Sequence, residues 1–233
     1  TNTTSTLVHP ATHYYGISRV DQLVRVEDLI DLQLVHIDLK GNYSQLDSAA
    51  DLKIQREYYE SVRTVNSSGK ESVKNEKRIE DISNTKINLT GDKPNTLPFT
   101  ANKPGRYILT ISGTDADGHD TATASTFYVY GKDDYPWATE NGIRIKLVTE
   151  KKSYEPGDTA RILVMTPIEG TALVTVERQG VMRHYKRELK ADNPVIEVPL
   201  EATDAPNTFV SVLIIRGANE SKREAKEPAL KLG

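Results

Sequence analysis

Along this chain apolar and polar residues alternate in short runs, and the runs are separated by turn-forming residues. "LQLVHIDL" (Leu32 to Leu39), "LKIQREYY" (Leu52 to Tyr59), "RYILTIS" (Arg106 to Ser112) and "TFYVYG" (Thr126 to Gly131) carry the period of two and the Thr, Tyr, Val and Ile enrichment of half-buried strands. No long segment sustains an apolar repeat of 3.6. In "VDQLVRVEDLIDLQLV", Leu23, Val26 and Ile30 would also fit a helix, but the stretch is read as two strands with a turn near Glu27-Asp28. Asp115 to Gly118 separates "YILTISGT" from "TATASTFYVYG", a hairpin pattern because Asp-Gly tolerates positive φ. From Ser61 to Asn88 the chain is densely charged and reads as its least strand-like part, an excursion at a sheet edge with partial strands.

The second half repeats the rhythm more tightly. Six strands are expected at Ile143–Thr149, Thr159–Met165, Thr171–Arg178, Val181–Leu189, Pro194–Leu200 and Asn207–Gly217. Such spacing of strands and turns predicts an antiparallel sandwich. In "KKSYEPGDTARILVMTP" (Lys151 to Pro167), Tyr154 is expected to end a strand. Pro156 and Gly157 then form a type II turn capped by Asp158, and Thr159 opens the next strand. That chemistry suits turning and not catalysis. Both halves close on an apolar strand ending in Gly, "TFYVYG" and "VLIIRG", a weak internal similarity consistent with two tandem copies of one module.

The expected fold is therefore all-β, two tandem antiparallel β-sandwiches. Residues 1–131 form the first, 132–142 a linker and 143–217 the second, while 218–233 hold a linker and the start of a next domain. The boundary rests on "GKDDYPWATENG" (Gly131 to Gly142), rich in Gly and acidic residues. Trp137, the only Trp, is expected to seal the junction between the halves rather than bind a ligand.

Composition narrows the function. Of 233 residues, 37% are hydrophobic and 27% charged, enough to build a core. The net charge of -3, from 30 basic and 33 acidic residues intermixed, gives no footprint for nucleic acid. The absence of cysteine removes disulfides, thiolate metal sites and a cysteine nucleophile from these residues. No apolar run reaches the roughly 18 residues of a membrane span. "TNTTSTLVHP" lacks the features of a signal peptide, and the chain reads as an excerpt of a longer protein with any targeting signal outside it.

Candidate chemistry is sparse. Asp115, Asp117 and Asp120 in "DADGHD" resemble part of a calcium loop but lack the later bidentate Glu, so a hairpin turn is the better reading. His9 and His13 stand four apart without an accompanying Glu and with Pro10 between them, which argues against a zinc helix. His36, His119 and His184 are scattered, and Asp204 belongs to no nucleophile pattern. No catalytic, cofactor or metal residue is assigned and no enzyme activity is expected. "ANESKREAKEP" (Ala218 to Pro228) is polar and rich in Lys and Arg, open to proteases, and is read as an interdomain linker in preference to a bait.

Tyr154, Pro156 to Ala160, the Pro167 to Gly170 turn, "ALVTVERQGV" (Ala172 to Val181) and "APNTFVSVLIIRG" (Ala205 to Gly217) form an ordered set that resembles a macroglobulin domain of the bacterial alpha-2-macroglobulins. In the first half, "HYYGI", "GRYILTISGTDADGHD" and "STFYVYG" fit the same kind of domain less decisively. The resemblance implies a scaffold part of a broad-spectrum protease trap, with proteases and neighbouring macroglobulin domains as partners and no cofactor. It also implies a periplasmic location, with a lipoprotein anchor in many members. The thioester found in many members needs a Cys and so cannot form within these residues. The alternative reading is an Ig-like repeat pair from a bacterial surface adhesin or carbohydrate-binding array.

Overall fold

The computed structural model describes residues 3–19, 21–65, 69, 71–115, 117–132, 136–138, 144–166, 169–215 and 230–233. Strands dominate, and no helix among the described residues is long and apolar enough to cross a membrane. In the first half, β1 (His13–Arg19), β3 (Leu29–Asp38) and β6 (Asn95–Thr100) form a three-stranded sheet in the order β1-β3-β6. It faces a five-stranded sheet ordered β2-β8-β7-β4-β5, built from β2 (Leu23–Arg25), β4 (Ser48–Val65), β5 (Glu71–Leu89), β7 (Gly105–Thr114) and β8 (Asp120–Tyr130). The alternation read in the sequence sets the inner face. Tyr107, Leu109 and Ile111 of β7 point inward and meet Leu32 and Leu34 of β3 and Phe127 of β8 in one core. The turn expected near Glu27-Asp28 is present: Glu27 has φ 71°, and the Asp28 N–H donates to the Arg25 carbonyl.

The second half holds β9 (Lys146–Thr149), β10 (Thr159–Met165), β11 (Gly170–Glu177), β12 (Val181–Leu189), β13 (Val195–Pro199), β14 (Phe209–Ile215) and β15 (Leu230–Leu232). They form a three-stranded sheet β13-β10-β9 and a four-stranded sheet β12-β11-β14-β15 around a second core, with Ile162, Val164, Val174 and Val212 inside. Among the described residues no strand ladder joins the two halves, and the pairing is antiparallel except for β2 with β8 and an isolated bridge between Arg144 and Leu232.

Three expectations need correction. The charged tract from Ser61 to Asn88 is the end of β4 and nearly all of β5, the longest ladder in the molecule. It does lie at a sheet edge, as expected. β7 pairs with β4 only from Asp51 to Glu57, whereas β4 and β5 stay paired for eight more rungs, to Val65 and Glu71. At about 3.3 Å per residue this ribbon runs about 25 Å past the sheet. Among its described side chains Ile79 and Val65 are exposed and Tyr58, Tyr59 and Val62 only half-buried, so no buried alternation marks it. Cross-strand pairs between Lys77 and Glu57 (2.6 Å) and between Arg78 and Glu60 (2.9 Å) dress it instead. Tyr154 does not end a strand: β9 stops at Thr149, and the Tyr154 ring packs on the second core while its hydroxyl accepts the Lys151 N–H. Finally, the residues assigned to the start of a next domain do form a strand, but β15 pairs with β14 and joins the second half's own sheet.

The turn at Glu155 to Asp158 stands as read. The Asp158 N–H donates to the Glu155 carbonyl, the Asp158 carboxylate accepts the Glu155 N–H, and Gly157 has φ 97°. The Gly157 N–H also donates to Leu200, which ties the turn to the end of β13. A Cβ at Gly157 would meet nothing within 4 Å, so only the positive φ resists substitution. Gly157→Val should therefore cost about 1–3 kcal/mol, seen as a lower melting temperature. An unchanged melt would refute the turn assignment.

Candidate functional site

The "DADGHD" hairpin is where metal chemistry would have to lie. One ligand atom each from Asp115, Asp117 and His119 falls within 4.8 Å of the others. The Asp115 carboxylate, however, already has its donors. Oδ1 accepts the N–H groups of Asp117 and His119, and Oδ2 accepts the N–H and hydroxyl of Thr12 and faces His119 Nδ1 at 3.2 Å. Asp120 turns away and accepts the Thr114 hydroxyl at 2.7 Å. His9 lies against Tyr14, while His13 meets Thr12 and the His36 ring. His184 sits opposite Thr175 in the β11–β12 ladder. Asp115 is thus the cap of its own turn and the staple that fastens the chain before β1 to the β7–β8 hairpin.

Those donors hold the Asp115 carboxyl well below the usual carboxylate range. The Thr12 N–H contributes most, followed by that of His119. The carboxylate is enclosed by its own loop, with 2% of the side chain exposed, although the loop stands at the periphery of the molecule. A depressed folded-state pKa gives stability that is full above the unfolded value near 3.9 and is lost as pH falls through the folded one. The melting-temperature gap between the native chain and Asp115→Asn should narrow as pH is lowered from 7 to 2. A constant gap would show that the carboxylate charge is not what Thr12 and His119 bind.

The junction between the halves is the second place where side chains converge. Trp137 is 5% exposed and packs with Leu23, Tyr128 and Tyr130 of the first half and Leu163 of the second. It seals the junction, as the sequence reading expects. Arg161 crosses the gap to donate to the Tyr130 hydroxyl at 2.5 Å while pairing with Glu150 at 3.0 Å, and Lys146 approaches the Tyr128 hydroxyl at 3.4 Å. Beside this seam opens a cleft of about 670 Å³ lined by Glu57, Arg106, Tyr128, Trp137, Lys146 and Lys231, among others. Glu57 is held by Lys77 at 2.6 Å and Arg106 at 3.4 Å.

The third element is the chain between β14 and β15. Ala218 to Pro228 lies outside the described residues, but both of its ends are fixed. β14 and β15 are antiparallel neighbours, with Leu213 opposite Leu232 and Ile215 opposite Leu230. The interdomain-linker reading of Ala218 to Pro228 itself lies outside the described residues, while the strands that flank it belong to one sheet. Composition could not show this, because a polar, Lys-rich run looks the same in a linker and in a long loop. Sequence reasoning takes the tail for the start of a strand but assigns no role to Lys231, whose only signal is the three-residue alternation Leu-Lys-Leu.

Residues 145–228 match the alpha-2-macroglobulin bait region domain. An alpha-2-macroglobulin homolog of Nostoc sp. is 25% identical over 166 residues, 71% of this chain and 9% of that protein. The alpha-2-macroglobulin of Pasteurella multocida is 28% identical over 163 residues, 68% of this chain and 8% of that protein. The chain thus spans less than a tenth of the length of these relatives. The native conformation of E. coli alpha-2-macroglobulin covers 97% of this chain and 15% of its own, at 16% identity and a TM-score of 0.42, a likeness too distant to carry weight. Residues 145–228 are thus similar to an alpha-2-macroglobulin bait region domain, and the larger part of the chain is similar to segments of bacterial alpha-2-macroglobulins.

Proposed function

We propose that this chain is the bait-bearing scaffold of a protease-trapping inhibitor, folded as two sandwich units divided at residues 132–142 and without enzymatic activity of its own. The match of residues 145–228 to the bait region domain carries the reading. The pairing of β14 with β15 on either side of 216–229 supports it, since a cut between them would sever the covalent link between two strands of one sheet. The segment contains Arg216, Lys222, Arg223 and Lys226 for trypsin-like proteases and Glu220, Glu224 and Glu227 for glutamate-directed ones. The partners are proteases and neighbouring macroglobulin domains, in a periplasmic protein, with or without a lipid anchor.

The test uses the longer protein that contains these residues. Trypsin should cut first within 216–229, the molecule should become more compact, and the protease should lose activity on a large protein substrate while keeping it on a small peptide. First cleavage elsewhere, or equal loss on both substrates, refutes the reading. The 233-residue chain alone should leave protease activity untouched, because two units of roughly 100 residues cannot enclose a protease of comparable size.

A further inference from the structure

We propose that the slot between β14 and Arg144–Ile145 is a strand-binding site, and that β15 occupies it as a tethered ligand whose release opens the cleft between the two halves. β15 has only three residues, yet it is gripped on both sides. On one side it pairs antiparallel with β14 from Leu213 to Ile215, and the Val212 and Gly233 N–H groups exchange bonds with each other's carbonyls at 2.8 and 2.9 Å. On the other side the Ile145 N–H donates to the Leu232 carbonyl at 2.8 Å, and Arg144 bridges Leu232 in parallel. The slot thus recognises an extended backbone through main-chain bonds along both edges, the geometry of strand addition.

Side-chain positions give it selectivity. Lys231 is 1% exposed and points into the cleft that Trp137 and Glu57 line, where Arg106, Arg144 and Lys146 add further positive charge. Leu230 and Leu232 face outward, opposite Ile215 and Leu213. Gly233 lies so close to Ile145 that a Cβ would come within 2.6 Å of its Cγ1 and 2.8 Å of its carbonyl oxygen, so the position takes only glycine. The ligand class is an extended peptide of the pattern apolar-Lys-apolar-Gly.

A strand this short does not hold its place by itself. Its tether to β14 keeps it present at an effective concentration on the order of millimolar. Once the chain between β14 and β15 is cut, that advantage is gone, and β15 leaves as a weak ligand. Its departure withdraws Lys231 from the wall of the cleft that Trp137 also lines and frees the pairing edge that Ile145 shares with it. The strand that follows the cut is thus the part that couples cleavage to the junction. As a physiological trigger this rests on the reading of 216–229 as bait; the slot itself does not.

The experiment replaces residues 219–225 with the recognition sequence of a site-specific protease, so that the result is independent of any natural target. After the cut, the amides of Ile145 and Val212 should exchange at least about tenfold faster. Trp137 emission should shift to the red, and the C-terminal piece should separate on gel filtration. A synthetic Glu227–Gly233 peptide should restore both signals, and a Gly233→Ala version of it should not. A second variant joins Leu213→Cys to Leu232→Cys, directly opposite each other in a chain with no other cysteine. Oxidised, it should show no change on cutting; reduced, it should respond to the cut like the cysteine-free chain. Unchanged exchange and emission after cutting in the cysteine-free chain, or a response that persists when the strands are cross-linked, overturns the proposal. Trap activity of the longer protein is scored separately, so failure of the bait reading and failure of the slot give different outcomes.

Discussion

Gly113→Val should cost the first half about 2–4 kcal/mol and lower its melting temperature by about 10–20 °C. A Cβ at position 113 would lie 2.4 Å from the Tyr15 hydroxyl oxygen and 2.6 Å from Cζ. Tyr15 cannot swing aside cheaply. It is 3% exposed, its ring stacks on His36 at 5.1 Å, its hydroxyl bonds Ser48 at 2.7 Å, and its carbonyl accepts the Thr123 hydroxyl. Moving the ring breaks the Ser48 bond and unpacks the core between the two sheets. The check is a double-mutant comparison. In a Tyr15→Leu background the Gly113→Val penalty should shrink markedly, because the two sites share one contact. Equal penalties in both backgrounds would place the cause elsewhere.

Asp204→Ala should have the largest effect in the second half. Asp204 is buried in a short 3-10 turn (Ala202–Asp204) and meets the Arg183 guanidinium through both oxygens, at 2.8 and 2.5 Å. It also accepts the Glu201 N–H at 2.8 Å. Removing it strands Arg183 beside the Pro199 carbonyl and opens the turn that leads to β14. The expected loss is about 2–4 kcal/mol, toward the lower part of the range for breaking buried pairs because Arg183 remains partly exposed. Arg183 also holds the Asp204 carboxyl below its usual range, with the Glu201 N–H adding to it. The contribution is therefore full above the ordinary carboxylate pKa and is lost as pH falls through the depressed one. Urea unfolding at pH 7 and at pH 3 measures both points. A variant equally destabilised at the two values would show that the ion pair is not responsible.

How much could be read in advance depended on whether a strand had one dry face. β10 and β12 have the bounds read from sequence, because their neighbours bury every second side chain or a turn marks their ends. The two motifs "HYYGI" and "GRYILTISGTDADGHD" were visible as strings, but not that Tyr15 of one rests on Gly113 of the other. β6 went unread because Pro98 interrupts its run, which an edge strand tolerates. The outer part of β5 was hidden by lacking an apolar face, and β15 was read as the start of a strand but not as a partner of β14. The long β14–β15 connection was legible as polar chain and illegible as topology, since only the pairing partner of Leu230–Leu232 tells a loop from a linker. Asp115 was assigned to a turn, and the donors around its carboxylate show why.

The ribbon of β4 and β5 has a consequence for how the chain finds its fold. Its outer rungs, from Val65 with Glu71 inward, close loops of only a few residues, whereas pairing β2 with β8 joins positions about a hundred residues apart. Loop-closure entropy makes the local pairs the cheapest to form, and hairpins of this kind assemble in about 1–10 μs. The extra residue Ile82, between the partners of Ile54 and Gln55, then switches the face that β5 turns inward, while β4 keeps a regular edge for β7. Pulsed hydrogen exchange during refolding should find the amides of β4 and β5 protected before those of β8. The stretch with the weakest claim to a hydrophobic core is in this way the one that hands its register to the core strands.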